Sequence, residues 1–358
     1  MKKEYVGEIF WLRSISCLAV VLLHSLTSAL ALYPDSKFEN LFLVLRLTLL
    51  FATPAFIFIS EFLLAKSYSS TIPKDFLSKR AKILLLPYLF ISVIFAFVES
   101  GSDITFTSFL IESAKNIFLA DSIVYFVVII FQFFLLHKYL YKHLNKWSPS
   151  IVIPIALLIN ILYLSIFNFY TPSYDSLILN YIWERGYWIP FPGWIFYFAL
   201  GYYCGKNYGV LVEKLKQFKL LVLLAPFVTF SLVVVLKYLH IIEPSSSKRI
   251  DILFYTVSMI FFIFYLSHLY NKVPKWILFT SEYSFSIFLL HKIFLVVIPP
   301  LAGLNFVSYT IIYFVISLLL AITIAILVNK IPFGKYLVGN IRRYKKPEKP
   351  NIRDSKAV

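Results

Sequence analysis

The chain has 358 residues, of which 60% are hydrophobic and only 15% are charged, whereas soluble proteins carry about 45–50% apolar and about 25% charged residues. This composition excludes an ordinary soluble domain, because so much apolar surface must face lipid or other buried helices. The formal net charge of +16 does not indicate nucleic-acid binding, since the basic residues are spread over short loops and the tail.

Apolar stretches of about the 20 residues that a helix needs to cross a bilayer predict roughly ten membrane spans. In chain order they lie near residues 9–32, 41–64, 83–98, 122–141, 150–169, 192–206, 218–240, 250–270, 283–303 and 306–329. The third and sixth are short. The sequence therefore predicts an all-α integral membrane protein, a polytopic bundle over residues 1–335 with a basic, disordered tail over 336–358.

Loop charges predict the orientation of this bundle. The loops 65–82, 137–149 and 206–219 hold three to five Lys or Arg residues each, whereas 99–121 and 170–191 hold one each. Because basic residues are retained on the cytoplasmic side, this alternation predicts that both termini are cytoplasmic. We expect a multi-pass protein of a bacterial plasma membrane.

The first predicted span contains two ionisable residues, Arg13 and His24. Such residues are costly in a membrane and usually face a cavity or a partner. Their eleven-residue step turns a helix by about 1100°, which places them on one face about 16 Å apart along the axis. A cation near the cytoplasmic end suits a phosphate-bearing donor, and a deeper neutral imidazole suits a general base. Alternatively, Arg13 reaches the lipid head groups and His24 bonds to a neighbouring helix.

The first span, Trp-Leu-Arg-Ser-Ile-Ser-Cys-Leu-Ala-Val-Val-Leu-Leu-His, resembles the signature of the acyltransferase-3 family of membrane acyltransferases, with Arg13 and His24 in the family's positions. Further matches are Thr53–Ser60, Arg80 followed by Leu86–Tyr88, and Ser284–His291, so the resemblance covers essentially the whole chain. Within the family the pattern is most similar to the staphylococcal intercellular-adhesin branch, regarded as an O-succinyltransferase and earlier as an exporter. Two departures are Glu61, where many members have Gly, and Phe285 and Phe288, which replace tyrosines.

The resemblance implies an O-acyltransferase that moves an acetyl or succinyl group from cytoplasmic acyl-CoA to a hydroxyl of a cell-envelope polysaccharide or its lipid-linked precursor. It implies catalytic roles for His24, and for His291 and Glu99 as candidates beside it. Arg13 and Arg80 are the expected donor-binding residues. We expect acyl-CoA as a co-substrate, no tightly bound cofactor and no metal, since no cluster has metal-ligand spacing.

Structural alternatives stand beside each of these roles. His291 can share a cavity with His24 or simply bond between helices. Arg80 lies in a basic cluster that positive-inside retention alone explains. Glu99 can orient the His24 imidazole or face water.

For three further polar residues, Glu61, Ser286 and His137, the sequence predicts structural roles. Glu61 is expected to pair with Lys66 near the inner boundary, and Ser286 to bond back to its own helix. His137 is expected in a solvated cytoplasmic loop.

Two other functions fit a polytopic chain with buried charges. A polysaccharide or small-molecule transporter or flippase is the first, although the sequence indicates neither inverted repeats nor paired broken helices. The second is a non-catalytic partner in a polysaccharide synthase complex. The expected partners are acyl-CoA, a surface glycan or its precursor and membrane lipid, without nucleic acid; a homodimer is a further expectation.

Overall fold

A computed structural model describes residues 6–34, 38–68, 71–101, 104–170, 172, 176–270 and 272–341, and most of the predicted tail, from residue 342 on, lies outside them. The described part is helical and contains no strand. Its helices are α1 Gly7–Leu32, α2 Glu39–Thr48, α3 Ala52–Ser67, α4 Phe76–Glu99, α5 Phe106–Phe118, α6 Phe126–Lys146, α7 Pro149–Phe169, α8 Leu177–Trp188, α9 Ile195–Lys206, α10 Tyr208–Gln217, α11 Lys219–Tyr238, α12 Ile250–His268, α13 Lys275–Val297 and α14 Phe306–Val328.

Nine helical stretches of the described residues are long and apolar enough to cross a membrane, which confirms an all-α polytopic membrane protein. They are α1, α2 with α3, α4, α5 with α6, α7, α11, α12, α13 and α14. The predicted sixth span is different. There α9 has 12 residues, which is about 18 Å of helix against a hydrocarbon core of about 30 Å. Among the described residues, nine of the roughly ten predicted spans are thus helices long enough to cross a membrane, and the sixth, which is short in the sequence, is a half-length helix.

Side-chain amides on two neighbouring helices support the backbone that precedes α9. Asn160 on α7 donates to the carbonyl oxygen of Gly193 (2.9 Å) and accepts from the backbone N–H of Phe196 (3.2 Å). Gln132 on α6 donates to the carbonyl oxygen of Ile189 (3.0 Å). Non-helical backbone is tolerated at membrane depth only where protein groups or water satisfy it. An amide side chain suits this position because it both donates and accepts.

Two glycines let α9 approach α3 closely. A Cβ atom on Gly201 would lie 2.7 Å from the carbonyl oxygen of Phe58, and one on Gly205 would meet the backbone of Phe62. Such close approach of small residues is typical of helix packing in membranes. Most of α9 is consequently buried.

A second interruption separates α2 from α3 at residues 49–51. Pro54 in the first turn of α3 has no N–H, and the first bond across the break runs from the N–H of Ala52 to the carbonyl oxygen of Leu49 (3.1 Å). Since α3 also packs against α9, two interrupted spans lie side by side.

Helix α1 lies centrally, in contact with α3, α12, α13 and α14. At its Gly7 end, the Glu8 carboxylate accepts from the hydroxyl of Tyr208 (2.7 Å). At its Leu32 end, the hydroxyl of Tyr33 donates to the carbonyl oxygen of Leu304 (3.0 Å). We name these two ends of the bundle the Gly7 side and the Leu32 side; the sequence predicts that the Gly7 side is cytoplasmic.

Candidate active site

The site is built on α1 and α13, which pack against each other. By helical rise, His24 lies about 26 Å from Gly7, and His291 lies about 24 Å from Lys275, where α13 begins on the same side. The two histidines are therefore level, beyond the middle of the bundle. Arg13 lies on the face of α1 that His24 also uses, about 16 Å nearer the Gly7 side.

The two imidazole rings are neighbours, with centroids 5.2 Å apart and planes tilted by 41°. His291 is fully buried. Its Nδ1 lies 2.9 Å from the carbonyl oxygens of Ile287 and Phe288, so that nitrogen carries the proton and donates. Its Nε2 is buried and has no hydrogen-bond partner in the described part of the chain. A lone pair on Nε2 is thus available beside His24.

Two basic residues lie close enough to His24 to affect it electrostatically. The sequence analysis identified neither of them. The positive charges of Arg46 on α2 and Lys292 on α13 reach His24. Arg46 makes one long hydrogen bond, from Nη2 to the carbonyl oxygen of Ser245 (3.4 Å), and its buried Nε has no partner among the described residues. The signal was present, because both residues fall inside predicted spans, where a charge is costly.

Glu99 lies apart from the histidines. It is the last residue of α4 and is exposed. Its carboxylate and the ammonium of Lys292 attract each other, but the described contacts include no hydrogen bond from Glu99 to His24. An orienting role for Glu99 therefore stays a prediction.

Arg80 belongs to a second cluster, where α4 meets α6. Its guanidinium lies over the rings of Phe76 and Phe134, at 5.5 and 5.2 Å from their centroids. Such cation–π contacts fix the side chain against an aromatic surface. The donor-binding role of Arg80 stays a prediction, as does that of Arg13.

Glu61 and His137 form a buried pair that the sequence analysis did not foresee. His137 Nδ1 lies 2.6 Å from Glu61 Oε1, and the two side chains are 0% and 1% exposed. The expected pairing of Glu61 with Lys66 is wrong, because Lys66 lies over the ring of Tyr208. The expected solvation of His137 is also wrong, because α6 runs on to Lys146 and keeps His137 within the bundle.

Two further expectations concerned Ser286 and a metal site. Ser286 is buried on α13, where a Cβ atom on Gly339 would lie 3.3 Å from its Oγ. It therefore lies against the segment that follows α14. Among the described residues, no group of three or more His, Cys, Asp or Glu side chains could hold a metal ion.

Comparison with known proteins identifies the family of the chain. A family model described as an acyltransferase domain, of the acyltransferase-3 type, matches residues 6–329. A Bacillus subtilis (strain 168) protein provisionally named membrane-bound acyltransferase YfiQ is 39% identical over 350 residues, covering 94% of this chain and 95% of that protein.

Two staphylococcal relatives carry a different name. A protein of Staphylococcus aureus (strain MRSA252) is 27% identical, covering 96% of this chain and 97% of its own, and one of Staphylococcus epidermidis is 28% identical, covering 91% of each. Both are provisionally named poly-beta-1,6-N-acetyl-D-glucosamine export proteins. No solved structure matches the chain. The family model and the Bacillus relative together show that the chain belongs to the acyltransferase-3 family of membrane acyltransferases.

Proposed function

We propose that this protein is an O-acyltransferase of the bacterial plasma membrane. It moves an acetyl or succinyl group from acyl-CoA to a hydroxyl of a cell-envelope polysaccharide or its lipid-linked precursor. The observation that supports this most is the juxtaposition of His24 and His291, 5.2 Å apart in the interior of the domain. Structural histidines are usually satisfied by their neighbours, whereas Nε2 of His291 is buried with no described partner.

The two imidazoles suit base-catalysed acyl transfer. His24 takes the proton of the acceptor hydroxyl as its oxygen attacks the carbonyl carbon of the thioester. The lone pair on Nε2 of His291 accepts a hydrogen bond from the hydroxyl or from the imidazolium that forms. When the intermediate collapses, the carbon–sulfur bond breaks, and the thiolate leaves with the electron pair and recovers the proton from His24. The products are an ester and free coenzyme A.

Charge near the histidines supports the same reaction. The attack places negative charge on the former carbonyl oxygen, and fixed positive groups stabilise such charge strongly in a site of low dielectric constant. Arg46 and Lys292 supply that potential at His24. Arg46 is suited to it because its Nε has no described partner.

The donor and acceptor approach from opposite sides in this scheme. Arg13 lies on the His24 face of α1, about 16 Å towards the Gly7 side, where a cation binds the donor's phosphates. The acceptor is proposed to reach the histidines from the Leu32 side. The staphylococcal relatives, whose names refer to poly-beta-1,6-N-acetyl-D-glucosamine, support a polymer of amino sugars as the first acceptor to test.

The test uses purified full-length protein in lipid nanodiscs with acyl-labelled acetyl-CoA or succinyl-CoA and poly-N-acetylglucosamine. We expect label on the glycan with the wild type and none with His24→Ala. His143→Ala is the matched control, because His143 is exposed on α6. Correctly folded His24→Ala that acylates at the wild-type rate would overturn the assignment.

Export without chemistry is the second candidate, favoured by one observation. The interrupted spans α2–α3 and α9 lie against each other, and paired interrupted helices are a feature of transporters. In proteoliposomes, movement of labelled glycan without label transfer from acyl-CoA would support export. Transfer that requires His24 supports the enzyme.

A further inference from the structure

A cleft of about 420 Å³ opens on the Gly7 side, between the segment that leads into α4 and the last turns of α6. Its polar lining comes from Lys74, Lys138 and Lys142, and its aromatic lining from Tyr139 and Tyr141. This volume falls within the roughly 300–1,000 Å³ of typical small-molecule sites. The histidine site does not include any of these residues.

Within the described part of the chain, the positive charge of the cleft is not neutralised by an ion pair. None of its three lysines forms an ion pair with a described residue. Asp75, next to Lys74 in sequence, pairs with Lys79 instead, and that contact lowers the pKa of the Asp75 carboxyl. Three ammonium groups around one concave surface attract an anion with several charges.

The aromatic lining is held rigidly from behind. The ring of Tyr141 stacks on that of His137 with centroids 6.4 Å apart and planes at 19°. His137 is in turn fixed by its buried contact with Glu61. Tyr139 is exposed, with the ammonium of Lys138 5.9 Å from its ring centroid. Rings presented at such a surface can stack on a nucleobase.

The cleft also adjoins the residue expected to bind the donor. Arg80 lies over Phe134, which precedes Lys138 by one helical turn on the same face of α6. The guanidinium of Arg80 and the lysines of the cleft are therefore neighbours along one surface. Phosphate groups are bound by both side chains, by arginine through its fork and by lysine as a point charge.

We propose that this cleft binds the phosphorylated adenosine end of the thioester donor. The lysines contact the phosphates, a tyrosine ring stacks on the base, and the acyl end extends towards Arg13 and the histidines. This inference rests on the proposed acyl-transfer function and locates its donor. A phosphate of an anionic lipid offers the same chemistry, so the test must separate the two sources.

The probe is adenosine 3′,5′-bisphosphate, which has the phosphates and base but no acyl group. Its binding to the full chain is measured calorimetrically in nanodiscs of zwitterionic lipid. The combined change Lys74→Gln, Lys138→Gln and Lys142→Gln should weaken binding by about tenfold or more, because charge-assisted contacts to phosphate are lost. The control removes three exposed lysines elsewhere on the same side, through Lys214→Gln, Lys216→Gln and Lys219→Gln, and should leave binding unchanged.

The outcomes are separable. Equal weakening in both triple variants, or none in either, would refute the cleft. Loss of probe binding when 20% phosphatidylglycerol is added to the nanodiscs would also refute the proposal, because the cleft would then bind anionic lipid in place of the donor. If the wild type and the control variant bind the probe and only the cleft variant does not, the cleft is the binding site. This conclusion holds even if no acyl transfer is detected. A cleft variant that acylates glycan with an unchanged KM for acyl-CoA would refute donor binding in the cleft. The proposed acyl-transfer function would be unaffected.

Discussion

The imidazole rings of His24 and His291 lie 5.2 Å apart, although they belong to the first and thirteenth helices. Their surroundings assign them different tasks. The Nδ1 atom of His291 is held by two backbone carbonyl oxygens of its own helix, which leaves Nε2 as the acceptor. One nitrogen fixes the ring, and the other can accept a hydrogen bond, which is the role proposed for it beside the general base His24.

Replacing His291 by Ala should lower acyl transfer by about 10- to 100-fold, because its Nε2 no longer accepts a hydrogen bond from the hydroxyl or from the His24 imidazolium, and hydrogen bonds to charged groups contribute about 1.5–3 kcal/mol. The measurement is the initial rate of label transfer in nanodiscs. Free imidazole added to His291→Ala should restore part of the rate by entering the vacated space. Ser317→Ala is the control, since Ser317 only donates to the backbone oxygen of His291 (3.0 Å). Equal losses in the two variants, without imidazole rescue, would assign His291 a packing role.

Arg46→Leu should reduce the rate by about 100-fold while leaving donor binding intact, because a charge that stabilises the developing oxyanion acts mainly in the transition state. Arg46→Lys should retain part of the rate. Both kcat and KM for the donor are to be measured. A change confined to KM would place Arg46 in binding rather than in the chemical step.

Much of this site follows from spacing along the chain. The eleven-residue step in α1 predicted that Arg13 and His24 share one face. A cavity shared by His24 and His291 was one of two alternatives for His291, and the structure places the two rings together. Arg46 was overlooked because the second span was treated as a uniform apolar stretch. A charge inside such a stretch is itself the signal.

The apolar stretch that forms α9 is visibly short in the sequence, but neither the break that precedes α9 nor the buried Glu61–His137 pair could be predicted from hydropathy. Apolar content does not reveal where backbone hydrogen bonds are interrupted; the amides of Gln132 and Asn160 satisfy that break. The end of the fourth predicted span also mattered. The predicted span 122–141 ended near His137, whereas α6 extends to Lys146 and carries that side chain inward.

Glu61→Ala should destabilise the fold by about 1–3 kcal/mol, the typical cost of leaving a buried hydrogen-bonding group without its partner. The pair is 0% and 1% exposed, so water cannot compensate in the folded protein. The measurement is thermal unfolding in detergent. The joint change Glu61→Leu and His137→Phe should recover most of the loss, because apolar replacements of similar volume are often neutral.

The same double variant tests whether this pair has a chemical role. A variant that is stable and fully active would make the pair structural. A double variant that is stable but inactive would show that Glu61 and His137 take part in turnover. They could do so directly, or by positioning Tyr141 in the cleft. A single Glu61→Ala variant as stable as the wild type would contradict the pairing itself.

Gly201→Ala should destabilise the protein by about 1–3 kcal/mol, the range for overpacking. The added Cβ atom would lie 2.7 Å from the carbonyl oxygen of Phe58, and backbone cannot move aside as a flexible side chain can. Gly209→Ala is the matched control, because nothing lies within 4 Å of its added Cβ atom and α10 gains a better helix former. Equal unfolding temperatures for the two variants would show that α9 and α3 can separate freely.

Lys248 precedes α12 on the Leu32 side. Its ammonium lies 5.1–5.9 Å from the ring centroids of Tyr125, Tyr187, Trp188 and Trp194. Only 6% of the residue is exposed, and this burial lowers the pKa of Lys248 to about 7. The carboxylate of Asp251 is paired with Arg249, so it does not serve as a counter-ion for Lys248.

The sign of the pH effect follows from proton binding. An unfolded lysine keeps its proton up to about pH 10.4, whereas Lys248 in the folded protein loses it near pH 7. Between these values the unfolded state binds more protons, so folding stability rises with pH. Lys248→Met removes this dependence. The variant should therefore unfold at a higher temperature than the wild type at pH 6, and the difference should shrink steadily towards pH 10.

Lys214→Met provides the control, because Lys214 is exposed on α10 and its removal should shift the unfolding temperature equally at every pH. Taking differences from the wild type cancels the titration of all other groups. A Lys248→Met difference that stays constant from pH 6 to pH 10 would mean that the folded protein keeps the Lys248 ammonium charged. The four rings would then stabilise the cation by more than its burial costs, and the aromatic enclosure would act as a cation-binding box rather than as an apolar lid.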